Sequence, residues 1–157
     1  MLFHSPTCGP LTLDGVYQEI QDFIAHAPQD AYTLVIGTDS QAHERELVFV
    51  SAVVIYRRGK GARYFYQKRH HRHLSSLRQK IYMEASLSMA LASQLTERFS
   101  RSEAPALNVE IHLDIGSVGE TRAWIREIVG MVTGSGFDAK IKPDSFGAST
   151  VADRFTK

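Results

Sequence analysis

Three strand-like runs follow one another between Tyr32 and Lys68 with no helical stretch between them, and this succession limits the fold more than any other feature. Tyr32 to Thr38 (YTLVIGT) reads as a buried strand ending at Asp39-Ser40, and Leu47 to Tyr56 (LVFVSAVVIY) is rich in β-branched residues. A turn at Arg58-Gly59-Lys60-Gly61 leads into a third run, Ala62 to Lys68, so the second and third predict a hairpin. Downstream the pattern changes. A long helix is expected over about Ser75 to Phe99, closed by Pro105, and then Val109, Ile111 and Leu113 alternate with Glu110, His112 and Asp114 as a fourth strand. Ser117-Val118-Gly119-Glu120 reads as a capping box for a helix through Val132, ending at Gly134-Ser135-Gly136. Phe137 to Ile141 gives a fifth strand and Ala148 to Thr156 a last short helix. Upstream, Leu13, Val16, Tyr17, Ile20, Phe23 and Ile24 recur at helical spacing between a capping Thr12 and a terminating Pro28. The order β-β-β-α-β-α-β-α, after an N-terminal helix, predicts an α/β fold with a mixed five-stranded sheet flanked by helices.

A chain of 157 residues suits one domain with its own core, expected over 1–157, with 12–27 as an added N-terminal helix and 32–157 as the core. The single cysteine, Cys8, excludes a disulfide framework and a cysteine-built zinc site, and reads as structural or inert. No signal peptide and no membrane-spanning run is readable, so a cytoplasmic location is expected.

The net charge of +1 hides a strong polarity along the chain. Residues 1–56 carry one basic and seven acidic side chains, whereas residues 57–80 carry nine basic and none acidic. Residues 81–157 carry eight basic and ten acidic. The basic block points to a polyanionic partner, RNA or DNA, contacted by Arg57, Arg58, Lys60, Arg63, Lys68, Arg69, Arg72 and Arg78. Within it, Arg63-Tyr64-Phe65-Tyr66-Gln67-Lys68 interleaves aromatic and basic groups, which suits base stacking beside phosphate contacts or, equally, one buried and one solvated face. His70-His71-Arg72-His73 reads as phosphate-contacting or solvated, since its cationic neighbours would repel a metal ion.

Several acids occupy positions that carry chemistry. Asp39 is expected at the end of the first strand and Asp114 at the end of the fourth, where ligand groups gather in such sheets, although both also suit turns. At about 100° per residue, Glu84 shares one helix face with Leu77, Ile81, Ser88, Leu91 and Leu95, whereas Glu97 points away. A carboxylate on a sheet-facing stripe is costly unless it is paired or metal-bound, the alternative being an ion pair with Lys80 at the edge of the stripe. Asp144 and Asp153 lie nearer the C-terminus. Carboxylates gathered this way need countercharge, and Mg²⁺ or Mn²⁺, which prefer oxygen ligands, would supply it. Two such ions suit in-line phosphodiester displacement.

The pattern resembles the ribonuclease H-like superfamily and, more narrowly, the bacterial ribonuclease H-like YkuK family. The residues that carry the likeness are Phe3-His4-Ser5-Pro6, Ile36-Gly37-Thr38-Asp39-Ser40-Gln41, Lys142-Pro143-Asp144-Ser145 and Val151-Ala152-Asp153-Arg154. The resemblance implies a sheet of three antiparallel strands followed by alternating helices and strands. It implies acidic site residues at Asp39, Glu84, Asp114 and Asp153, with Asp144 as rival for the fourth place. The function expected is a metal-dependent nuclease acting on RNA, RNA–DNA hybrid or structured DNA. The alternatives are a non-catalytic nucleic-acid-binding module and a protein-interaction module on the same fold. Asp114-Ile115-Gly116-Ser117 also resembles the phosphate loops of actin-like sugar kinases, which need two such domains, more than 157 residues supply.

Overall fold

The computed structural model describes residues 2–74, 76–102, 107–116, 120–142, 144–145 and 147–156, with backbone alone at 120, 121, 147, 149, 150 and 153. Helix α1, Leu13–Ala25, begins where the Thr12 side chain accepts from the Gly15 N–H at 3.1 Å, and it buries Val16, Ile20 and Ile24 on one stripe. Three twelve-residue strands follow: β1 (Tyr32–His43), β2 (Glu46–Arg57) and β3 (Gly61–Arg72). Next come α2 (Leu77–Ser100), capped by Ser76, and the short β4 (Asn108–His112). A 3₁₀ turn over Glu120–Trp124 leads into α3 (Ile125–Gly134), followed by β5 (Asp138–Lys140) and α4 (Gly147–Thr156). The Ser117–Gly119 part of the expected capping box lies outside the described residues.

The sheet order is β3-β2-β1-β4-β5. The first three strands are antiparallel neighbours, while β4 runs parallel to β1 and β5 parallel to β4. This is the expected mixed five-stranded sheet, with one difference that matters below. β1 does not end at Asp39 but continues to His43, because Ser40, Gln41 and Ala42 pair with Phe49, Val48 and Leu47 of β2. Leu47 and Phe49 are fully buried, so β2 must stay in the sheet over that stretch and its backbone groups need partners. A ladder imposed from β2 overrides the turn preference of Asp and Ser. The hairpin then closes at Glu44-Arg45, with Glu44 at φ 52.

Alternate residues serve two cores. On one face Leu34, Ile36, Val53, Ile55, Phe65 and Ile111 meet Ile20 of α1, Leu95 of α2 and Ile128 of α3. On the other, Val35, Val48, Val50, Ala52 and Val54 meet Ala148 and Ala152 of α4. Phe155 of α4 stacks on Tyr66 of β3 with ring centroids 3.7 Å apart and planes 10° apart, which fixes the far end of α4. The N-terminal segment covers part of the outer edge of β3, where the His4 N–H donates to the Tyr66 carbonyl at 2.8 Å and receives the reciprocal bond at 2.9 Å.

Gly37 sits where α4 crosses β1. A Cβ there would stand 2.9 Å from the Ala148 Cβ and 3.2 Å from the His112 carbonyl oxygen, so the helix reaches the sheet only because position 37 lacks one. Gly37→Ala is therefore expected to lower the unfolding free energy by about 1–3 kcal/mol, the usual cost of overpacking. Gly130→Ala in α3, where nothing lies within 4 Å, is expected to be neutral or stabilising. Chemical denaturation of both variants checks the pair.

Candidate functional site

Two hydroxyl contacts fix how α2 lies on β1. Thr38 Oγ1 is 2.8 Å from Ser88 Oγ and 2.9 Å from Ser51 Oγ, and all three residues are buried. Two residues along β1 and one turn back along α2, Ser40 Oγ donates to Glu84 Oε2 at 2.5 Å. Buried hydroxyls must find partners, and these find one another in a single register, so the rotation and translation of α2 are both set. Glu84 is 8% exposed and faces the sheet, as its position on the helix stripe predicts. Burial pushes its carboxyl from 4.5 to about 8; the Ser40 bond opposes this, the charges of Asp39 and Asp114 raise it further, and Lys80 lowers it. Lys80 thus acts on Glu84 only as a distant charge, and the direct partner is Ser40.

Asp39 and Asp114 are placed by the end of the parallel ladder. The last β1–β4 pair is Gly37 with His112, so Asp39 and Asp114 each lie two residues beyond it on adjacent strands. Asp114 has parted from β1 there, whereas Asp39 remains in β1 opposite Val50. The expectation that Asp39 ends its strand is corrected: it marks where β1 loses β4, not where β1 stops. Because Val50 faces α4, Asp39 belongs to the α4 side of the sheet, while Glu84 approaches from the α2 side. The acids therefore flank the end of the β1–β4 pair from two faces of the sheet, within reach of one another's charge. Lys142, just after β5, reaches Asp114 with its Nζ 2.7 Å from Oδ1. That hydrogen bond holds the lysine above its ordinary value against partial burial, with added pull from the charges of Asp114, Asp39 and Glu84.

The two rivals for a fourth acid differ in setting. Asp144 is exposed in a turn, its N–H donating to the Ile141 carbonyl at 2.8 Å. Asp153 lies on α4, and its side chain is outside the described residues. The end of that helix is tied to the extension of β1, with the Thr156 carbonyl 2.7 Å from His43 Nε2 and Thr156 Oγ1 donating to Gln41 Oε1 at 3.2 Å. Among the described residues no three His, Cys, Asp or Glu side chains stand close enough to share one ion. The donor set is nonetheless carboxylate oxygen, the chemistry that Mg²⁺ and Mn²⁺ prefer, and the raised Glu84 reflects its burial first and the neighbouring charges of Asp39 and Asp114 second.

The basic block divides. Arg57 stacks over Phe23 at 4.2 Å and donates to the Phe23 carbonyl and the Tyr32 hydroxyl, so it ties the β2 end to α1. Lys60 pairs with Asp30, Arg63 lies over Phe23, Arg78 pairs with Glu127, and Arg58 is exposed in the same β2–β3 turn as Lys60. The remaining members stand elsewhere. Lys68 pairs with Val50, which pairs with Asp39; Arg69 pairs with Phe49, which pairs with Ser40. Exposed Lys68 and Arg72 thus lie on the Asp39 face of this end of the sheet and Arg69 on the Ser40 face, the Lys68 row lying roughly 10 Å from Asp39 at two strand spacings. His70 pairs with Glu46 at 3.1 Å. Ser40 and Lys142 are the site residues that sequence patterns miss: Ser40 reads as a turn residue, and no local period links Lys142 to Asp114.

The sequence model described as Ribonuclease H-like matches residues 15–157. The chain belongs to the ribonuclease H-like family. It is also 36% identical over 168 aligned residues to the uncharacterized protein YkuK of Bacillus subtilis (strain 168), covering 99% of this chain and 97% of that one. Ribonuclease H-like membership accords with the mixed five-stranded sheet and its strand order.

The raised Glu84 has a measurable consequence for this ribonuclease H-like site. A carboxyl whose folded value exceeds its unfolded one stabilises the fold fully below the unfolded value, near 4.5, and loses that contribution as pH rises through about 8. Without divalent metal, the unfolding midpoint of the wild type is expected to fall between about pH 5 and about pH 9. Glu84→Gln keeps an acceptor for Ser40 and should flatten that fall, becoming the more stable protein at the alkaline end. Thermal melts across pH check the crossing.

Proposed function

We propose that residues 1–157 act as a single ribonuclease H-like domain, a Mg²⁺- or Mn²⁺-dependent nuclease of the cytoplasm that hydrolyses phosphodiester bonds in RNA, RNA–DNA hybrid or structured DNA by a two-metal mechanism. One observation carries this reading: a buried Glu84, raised to about 8, stands within electrostatic reach of Asp39 and Asp114 at the open end of the β1–β4 pair. Family membership supports it, and so does the row of Lys68, Arg69 and Arg72 beside that end. Among the described residues no helix is long and apolar enough to cross a membrane.

In this reading Asp39, Glu84 and Asp114 hold the metal, with Asp153, or its rival Asp144, completing the set. Bound Mg²⁺ or Mn²⁺ would supply an activated water and neutralise charge gathering on the phosphate. The rest belongs to the chain. Ser40 orients the Glu84 carboxyl, and the Thr38–Ser88 bond keeps α2 from sliding, so Glu84 holds its place against β1 before substrate arrives. Lys68, Arg69 and Arg72 grip the backbone of the nucleic acid beside the reacting phosphate. A second reading, a nucleic-acid-binding or protein-interaction module without turnover, is favoured by the Lys142–Asp114 ion pair, which already gives one acid a countercharge.

Purified protein is expected to cleave at least one of a single-stranded RNA, an RNA–DNA hybrid and a branched DNA in Mn²⁺. Asp39→Asn should cut that activity by about 100-fold or more. Activity that survives in Asp39→Asn sinks the assignment. Changing Lys68, Arg69 and Arg72 together to Gln should weaken binding and reduce the salt slope by about 0.7–0.9 for each phosphate that the variant no longer neutralises. Salt-dependent binding with no cleavage under any divalent metal would leave the second reading standing.

A further inference from the structure

Lys142 is built into the acidic end of the sheet. Past the last β4–β5 pair the two chains stay together: the Leu113 N–H donates to the Lys140 carbonyl at 2.8 Å, and the Lys142 N–H to the Ile115 carbonyl at 2.8 Å. Gly116 lets the lysine stem lie close, since a Cβ there would stand 3.3 Å from the Lys142 Cβ. The stem is thus anchored on both sides of Asp114, while the ammonium is 2.7 Å from Asp114 Oδ1. Its side chain is 58% exposed and that of Asp114 35%, so the ion pair lies at the mouth of the site and its head group can change partner without unpacking the core. Its charge also reaches Asp39 and Glu84, the other two members of the acidic group. The ammonium occupies the Asp114 oxygen that faces the mouth of the site.

We propose that Lys142 is a resident countercation of the acidic site, which holds Asp114 in the metal-free protein, is displaced when a divalent ion binds, and then offers its ammonium to the phosphate of a bound nucleic acid. This rests on the carboxylate site being a metal site. Lys142 is therefore a positioning and binding residue that competes with the metal before it serves the substrate. A positive charge that must leave weakens metal binding, and its removal strengthens it. Charge and position matter more than the kind of head group, so arginine at 142 preserves the competition.

The test uses the full chain and Mn²⁺ alone, with free Mn²⁺ followed by its electron paramagnetic resonance signal at low ionic strength. Lys142→Met is expected to bind Mn²⁺ about threefold to tenfold more tightly than the wild type, and Lys142→Arg to stay within about twofold of it. With Ca²⁺ present, Lys142→Met should bind single-stranded RNA more weakly than the wild type. Tighter metal with weaker RNA is a split that a purely structural lysine would not produce. Equal Mn²⁺ affinity in wild type and Lys142→Met overturns the countercation role and leaves the metal site intact. Weaker Mn²⁺ binding in Lys142→Met overturns it in the other direction, by making the lysine a support for the site. Mn²⁺ bound by neither protein overturns both this inference and the metal-dependent reading beneath it.

Discussion

The hydrogen bond from Ser40 to Glu84 is the constraint on which the candidate site depends. A carboxyl at 8% exposure favours its protonated form, because the ionised form lacks water. Ionising it is costly, its pKa raised to about 8, because one hydroxyl and a distant lysine do not replace the hydration a charged carboxylate loses. Whatever binds near Glu84 with positive charge therefore gains from relieving it. The Thr38–Ser88 contact one turn away helps hold Glu84 in that setting, because rotating α2 to release it would also break a second buried hydroxyl pair.

The sheet supplies the rest of the geometry through where its ladders stop. Parallel pairing of β1 with β4 ends at Gly37 and His112, while antiparallel pairing of β1 with β2 runs on to His43 and Glu46. That difference in length opens one side of β1 at Asp39. The opening is kept shallow on the other face by α4, which Gly37 admits against the sheet and which His43 and Gln41 hold at its far end. The added length of β1 thus does two things at once: it carries Asp39 past β4, and it anchors the helix that bears Asp153.

Charge is distributed by the same register. The nine cations of the basic block look like one surface in the sequence, yet the β2–β3 hairpin separates those at its turn from those at the far end of a twelve-residue strand. At the turn end, Arg57 is consumed by cation–π and hydrogen-bond contacts to α1 and Tyr32, which are packing roles. At the other end, Lys68 and Arg69 share rows with Asp39 and Ser40. The register thus places exposed basic residues beside the acidic end of the sheet.

Local periodicity is enough to read the order of the five strands and four α-helices described, the capping Thr12, and the sheet-facing position of Glu84, because each follows from neighbours within a turn or two of chain. The alternation in β4 and the stripe in α2 are properties of the sequence itself. Tertiary pairing decided the rest. Ser40 meets Glu84 across 44 residues and Thr38 meets Ser88 across 50, separations at which no period carries information. Asp39 lies within β1 because buried Leu47 and Phe49 hold β2 in the sheet opposite it, overriding a turn preference that is correct for the isolated segment. Lys142 meets Asp114 only because β5 lies parallel to β4 and the chains stay paired beyond it. The sequence determined which elements form and which side chains each presents; the sheet, by ending one ladder before another, decided which of those side chains meet.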